Sequence, residues 1–348
     1  MKRLLLTLAL LAAGHAAALG LDEAWQSAAA RPDAITTRLE LLTARSSLTR
    51  TEADPLALRM DLLQARQSVE LLEAQNRHAV FAAMQEIAEA YTGVLQARAQ
   101  QSLARSGLKL AETGLEVANI RLANGGATNL DVRDAQIAVE EARQGLEAAT
   151  SGLDVALANL EGMIGRELDP AELEPVREDS LPALPSLEEL VAQLDTHPTL
   201  LQASHGVALA GAAVELLDPA YAPVAQIESA RTQLATAEEL VAEARRGFEL
   251  QARNAYLQAT SAADRQAVAA ERAAAAEERL ELQRLRLEGG LISAVQLEQA
   301  ELETEQQRLE LQRAVHEHLL ALLRLQSATM FDLGLAPTAL DGAPQEQR

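Results

Sequence analysis

DVRDAQIAVEEARQGLEAATSGLDVALANL, residues 131–160, decides how the chain folds. Its apolar positions are Val132, Ala135, Val139, Ala142, Leu146, Ala149, Leu153, Ala156 and Leu160, alternately three and four residues apart without a break. That is the seam of a helix packed lengthwise against other helices. Alanine at every second place lets backbones approach closely, which favours broad helical walls over a leucine zipper.

The seam returns downstream as Leu297, Ala300, Thr304, Gln307, Leu311, Ala314, His318, Ala321 and Leu325, one of many matches at a displacement of about 165 positions. Leu21-Asp22-Glu23 with Pro32 recurs as Leu187-Glu188-Glu189 with Pro198. Ala90-Tyr91 recurs as Ala255-Tyr256, Leu115 as Leu280, Arg121-Leu122 as Arg286-Leu287, and Gly125 as Gly290. A register held so long points to duplication. The expected organisation is a signal peptide over 1–20, a first helical repeat over 21–164, a linker over 165–186 with Pro170, Pro175, Pro182 and Pro185, a second repeat over 187–333, and a flexible tail over 334–348.

Each repeat reads as a helical hairpin with a tight tip. Asn124-Gly125-Gly126 stops one helix and Thr128 or Asn129 starts the next; Gly289-Gly290 stops its counterpart and Ser293 restarts it. Upstream, the stripes Leu103-Leu110-Val117 and Leu108-Leu115-Leu122 ask for burial on two faces of one helix. From Leu56 to Leu122 that helix would reach on the order of 100 Å, although Gly93, Gly107 and Gly114 each weaken it by up to about 1 kcal/mol. Shorter helices before it end at Asp54-Pro55 and, in the second repeat, at Asp218-Pro219 through Pro223. The fold class is all-α, with coiled-coil packing and little or no β structure.

Bulk properties narrow the function. Hydrophobic residues make up 48% of the 348 and aromatics 2%, so the core is built of Ala, Leu and Val. The net charge of −21 repels nucleic acid; it serves either solubility or a cation-favouring lumen. Lys2-Arg3, the run Leu4 to Ala13 broken only by Thr7, and small residues through Ala18 and Gly20 form an export signal, too short to span a bilayer. Without cysteine there are no disulfides, thiolate metal sites or lipidated N-terminal cysteine.

Arg121-Leu122-x-x-Gly125, then Leu130-Asp131-Val132-x-Asp134-Ala135-Gln136, with Ala90-Tyr91 and the opening Leu21-Asp22-Glu23-Ala24-Trp25, resemble the TolC-like outer-membrane efflux family across nearly the whole mature chain. The resemblance implies a TolC-like α-barrel fold and a homotrimer forming a passive periplasmic conduit in an envelope efflux or secretion system. It also implies docking to a periplasmic adaptor and an inner-membrane pump through the tips. By position it places Arg121, Gly125, Gly126, Thr128, Asp131 and Asp134 at one tip, and Arg286, Gly289, Gly290, Ser293, Gln296 and Gln299 at the other. Gln296 and Gln299 stand where relatives can carry acidic gate residues, so a cation-binding ring at that tip is not expected. Asp131 and Asp134 also have a simpler role, complementing the dipole at a helix start.

The family's barrel strands would fall between the short and long helices of each repeat. Here those positions hold only the breaks at Asp54-Pro55 and Asp218–Pro223, too short for pairs of spanning strands of roughly 9–11 residues. The expected location is therefore the periplasm, with outer-membrane association left to a peripheral hold. A rival from another class is a non-conducting structural or tethering protein derived from the same family. A third, an adaptor, would need β-rich flanking domains that the sequence lacks. No catalytic, cofactor or metal site is expected: His316 and His318, two apart on a helix, diverge, and the glycine pairs read as helix stops.

Overall fold

In the computed structural model residues 19–335 are described; the signal peptide expected over 1–20 and the tail expected over 334–348 lie outside them, except for residues 19–20 and 334–335. Eight α-helices follow one another: α1 (Leu21–Trp25), α2 (Pro32–Ala53), α3 (Arg59–Ala123), α4 (Asn129–Ile164), α5 (Leu187–Ala192), α6 (Pro198–Glu215), α7 (Val224–Glu288) and α8 (Ala294–Thr329). α3 and α7 both run 65 residues, α4 and α8 both 36, and each later helix starts 165 residues after its counterpart (224 − 59 and 294 − 129). At 1.5 Å per residue the long pair extends on the order of 100 Å. Among the described residues there is no strand, only one isolated parallel bridge between Leu19 and Leu173.

The long helices stand side by side in the order α4, α3, α8, α7, with α2 laid on α3 and α6 on α7 and α3. Every seam position from Val132 to Leu160 and from Leu297 to Leu325 is buried or half-buried, as the three-and-four spacing requires. The two stripes of α3 are half-buried as well, because that helix meets α4 on one side and α8 on the other. α3 runs unbroken through Gly93, Gly107 and Gly114. Packing along both flanks outweighs their poor propensity, which fixes only a fraction of a helix's stability.

The main core sits at mid-length. Trp25, Phe81, Met84, Ile87, Tyr91 and Leu95 pack there with Leu160 of α4 and Leu319, Leu322 and Leu323 of α8. Trp25, Phe81 and Tyr91 thus lie where several elements converge, while Ala and Leu line the long walls. The Trp25 indole N–H donates to the Met84 carbonyl at 2.9 Å. The Tyr91 hydroxyl shares its proton between the carbonyls of Leu19 (2.8 Å) and Glu174 (2.6 Å). Arg98 donates to the carbonyls of Pro170 and Leu173.

Those bonds strap the proline-rich segment across α3, and Leu168, Leu173, Val176, Leu181 and Leu184 add apolar contact. Prolines keep the segment out of a long helix, yet its backbone carbonyls find donors on α3, as buried carbonyls must. It runs as extended chain with 3₁₀ turns at Pro170–Glu172 and Glu178–Ser180.

Candidate functional site

Each tip is a five-residue connection with the same construction. At the first, α3 ends on Asn124, Gly125 takes φ 71°, the Gly126 N–H donates to the Arg121 carbonyl at 2.7 Å, and the Gly125 N–H to Leu122 at 3.0 Å. At the second, Gly290 takes φ 68°, the Leu291 N–H donates to Arg286 at 2.8 Å, and the Gly290 N–H to Leu287 at 2.9 Å. These are Schellman closures, in which a left-handed residue lets the chain fold back onto the last open carbonyls. Glycine is the residue that adopts that φ without a Cβ penalty.

The restart is built alike. The Asp131 N–H donates to the Thr128 hydroxyl at 3.2 Å and the Thr128 N–H to the Asp131 carboxylate at 2.6 Å. Ser293 and Gln296 repeat the exchange at 3.3 and 2.9 Å. Both are capping boxes, closing two of the open N–H groups at a helix start. The N–H and hydroxyl of Thr128 hold the Asp131 carboxyl below the usual carboxylate range. Gln296 performs this bond without a charge, which gives the glutamine at this tip a structural role.

Residue by residue, the structure brings Arg121, Gly125, Gly126, Thr128 and Asp131 together at one tip, in the loop and the helix turns that flank it, and Arg286, Gly289, Gly290, Ser293 and Gln296 likewise at the other. Asp134 and Gln299 sit at the sixth helical position, past the first turn. The dipole role therefore belongs to Asp131 alone, because the dipole's field fades within that turn. Lys109 of α3 and Glu298 of α8 pair at 3.2 Å, which puts both tips at the same pole of the rod. Arg59, at the start of α3, pairs with Glu215, at the end of α6, at 3.3 Å, so the two proline breaks share the opposite pole.

Leu291, 77% exposed between stop and cap, is a tip feature that sequence reading passed over. Its signal was a pair of apolar side chains, Leu291 and Ile292, set between the stopping glycines and the capping serine. Among the described residues no group of His, Asp and Glu is arranged to hold a metal ion. His318 bonds the Gln266 side chain at 2.6 Å, and His316 is buried with neither ring nitrogen bonded, so both are interior residues of the α8 wall.

The tip lies inside a recognisable segment. Residues 56–166 match the outer membrane efflux protein family. That segment takes in α3, the first tip and α4, and with them the residues quoted for the resemblance apart from the opening Leu21-Asp22-Glu23-Ala24-Trp25. No curated protein matches the chain by sequence. Solved structures with the same fold include CusC, described with the changes that accompany its folding and transmembrane channel formation; 16% of residues are identical, over 89% of this chain and 95% of that one, at TM-score 0.64. The outer membrane protein VceC of Vibrio cholerae is 16% identical over 91% and 96%, at 0.55. The open state of the MtrE outer membrane channel of Neisseria gonorrhoeae is 16% identical over 90% and 92%, at 0.58. The fold is thus that of TolC-like helical channels, and the matched segment and its repeat form one rod.

Proposed function

We propose that the chain is a passive, oligomeric component of an envelope efflux or secretion system: a periplasmic helical conduit whose tips dock to an adaptor and an inner-membrane pump. The observation that carries this is the open wall α4, α3, α8, α7. Its two edge helices keep exposed apolar side chains, Leu130, Ile137 and Val155 on α4 and Leu250, Leu257, Leu282 and Leu285 on α7. Two unlike edges make a head-to-tail contact, and head-to-tail contacts close into rings when the rotation permits. Three copies would form the trimer that the family resemblance implies.

Within this reading residues 21–164 and 187–333 are the two repeats and 165–186 the strap joining them. Arg121, Gly125, Gly126, Thr128, Asp131 and Asp134, with Arg286, Gly289, Gly290, Ser293, Gln296 and Gln299, make up the docking pole. No catalytic step is assigned, and transport energy comes from the pump. The chain acts outside the inner membrane, in the periplasm at the outer membrane.

The absence of cysteine gives a clean test. Ile137→Cys on α4, eight residues beyond its start, and Leu282→Cys on α7, six residues before its end, are at similar height below the tips. Mild oxidation of the double variant should give covalent dimers and trimers, and native mass spectrometry of the parent protein a trimer. A stable monomer overturns the reading.

A second reading, a tether that does not conduct, is favoured by one feature: the breaks between α2 and α3 and between α6 and α7 contain turns and no strand. Conductance in planar bilayers separates the two, since channels formed by this chain alone would exclude the tether.

A further inference from the structure

We propose that the pole formed by the two proline breaks is a lipid-contact surface that seats in the head-group region of a zwitterionic bilayer without crossing it. The proposal rests on the conduit reading only in placing a membrane at this pole. The two breaks form one surface, because the Arg59–Glu215 pair joins the first residue after one to the last helical residue before the other. Among the described residues that surface gathers the largest share of the most exposed apolar side chains. Five of the eight most exposed large hydrophobic residues described lie there: Tyr221 (88%), Leu56 (86%), Val224 (70%), Leu58 (66%) and Leu216 (64%).

The turns are constructed so that these side chains face outward. Asp54 Oδ1 accepts from the Leu56 N–H at 2.9 Å, and Asp218 Oδ1 from the Ala220 N–H at 2.8 Å. Each carboxylate folds back to its own Asp-Pro turn, an arrangement aspartate favours. Apart from these two aspartates the only charged groups from residue 54 to 59 and from 215 to 224 are Arg59 and Glu215, which neutralise each other. A chain of net charge −21 therefore meets this pole with little charge and a slight acidic remainder. That repels anionic lipid and leaves a zwitterionic surface as the partner.

Aromatic placement agrees. Of the seven aromatic residues six are buried or half-buried, and Tyr221 alone is exposed. A phenol has an apolar body and a polar end, which suits the boundary between head groups and acyl chains. No described helix is long and apolar enough to cross a membrane, and the breaks are a few residues each, so the contact is shallow, about 5–10 Å. A handful of side chains binds weakly alone; several copies on one surface add by multivalency.

Fluorescence and flotation test this. Trp25 is the single tryptophan and is buried, so in a Leu56→Trp variant changes in emission report on position 56. With phosphatidylcholine–phosphatidylethanolamine vesicles the emission should shift to the blue and be quenched by lipids brominated near the head-group end of the chains. The protein should float with these vesicles, and the triple variant Leu56→Ser, Tyr221→Ser, Val224→Ser should lower the bound fraction at least tenfold while circular dichroism stays unchanged. Leu291→Ser at the tips should leave flotation as it was.

No emission shift, equal flotation of the triple variant, binding confined to anionic vesicles and reversed by salt, end-to-end pairing of copies in place of flotation, or recruitment only when a second protein is present would each overturn the proposal. Flotation gains from several copies on one surface, whereas the Leu56→Trp emission at excess vesicle reads contact copy by copy, so a failed trimer test and a failed lipid test are separate results.

Discussion

His316 is 4% exposed on α8, and neither ring nitrogen has a partner. Burial lowers its pKa from 6.5 to about 4. His197 is lowered to about 4 by burial and then by the neighbouring His78, and its neutral Nδ1 accepts from the Thr199 N–H as the cap of α6. The folded state therefore holds both rings neutral, whereas the unfolded chain protonates them near 6.5. Their contribution is complete above pH 6.5 and is lost as pH falls from 6.5 towards 4, where the unfolded state binds more protons. Melting temperature should drop across that window, and His197→Asn, which retains a capping acceptor, should flatten the drop and protect the α6 amides from hydrogen exchange at pH 5. His316→Leu should raise stability at pH 7 by about 1 kcal/mol, because two orphaned polar atoms leave the interior; lower stability would show an unseen partner. Neither ring's setting was legible from sequence. His318 fell on the seam and was open to a buried reading, whereas His316 gained its burial from the position of α8 between two neighbours.

At the scale of elements, starts and stops were largely written in the sequence, because caps are local. Thr128, Ser293 and the glycines at 125 and 290 do at the tips what their side chains, or lack of one, dictate. Thr128→Ala should cost about 1 kcal/mol at the start of α4, seen as faster hydrogen exchange of the 129–132 amides with little change in global melting. Gly125→Val and Gly290→Val place a β-branched residue at positive φ, at a cost of about 1–2 kcal/mol each; under the docking proposal they should weaken adaptor binding in a pull-down. In α3, a Cβ added at Gly107 would meet nothing within 4 Å. Gly107→Ala should therefore stabilise the protein by about 0.5–1 kcal/mol in a denaturant titration; a loss would mean that another copy's helix comes close there. Sequence reading weighed these glycines as threats to the helix, and tertiary packing along both flanks overrode them.

For the whole molecule, the arrangement α4, α3, α8, α7 leaves two unlike apolar edges, which is why a head-to-tail assembly is proposed and why Ile137→Cys with Leu282→Cys should cross-link between copies. Sequence alone determined that the chain is all-helical, duplicated at about 165 residues and turned back at two glycine tips, since each of these follows from local rules: apolar period, proline and glycine backbone limits, and caps within a few residues. Tertiary structure decided the order of the helices, the docking of residues 165–186 onto Tyr91 and Arg98, and the meeting of the Asp54 and Asp218 breaks at one pole. Those outcomes depend on contacts between residues tens to more than two hundred positions apart. A repeating seam of alanine and leucine states that a face is buried but does not say against which helix.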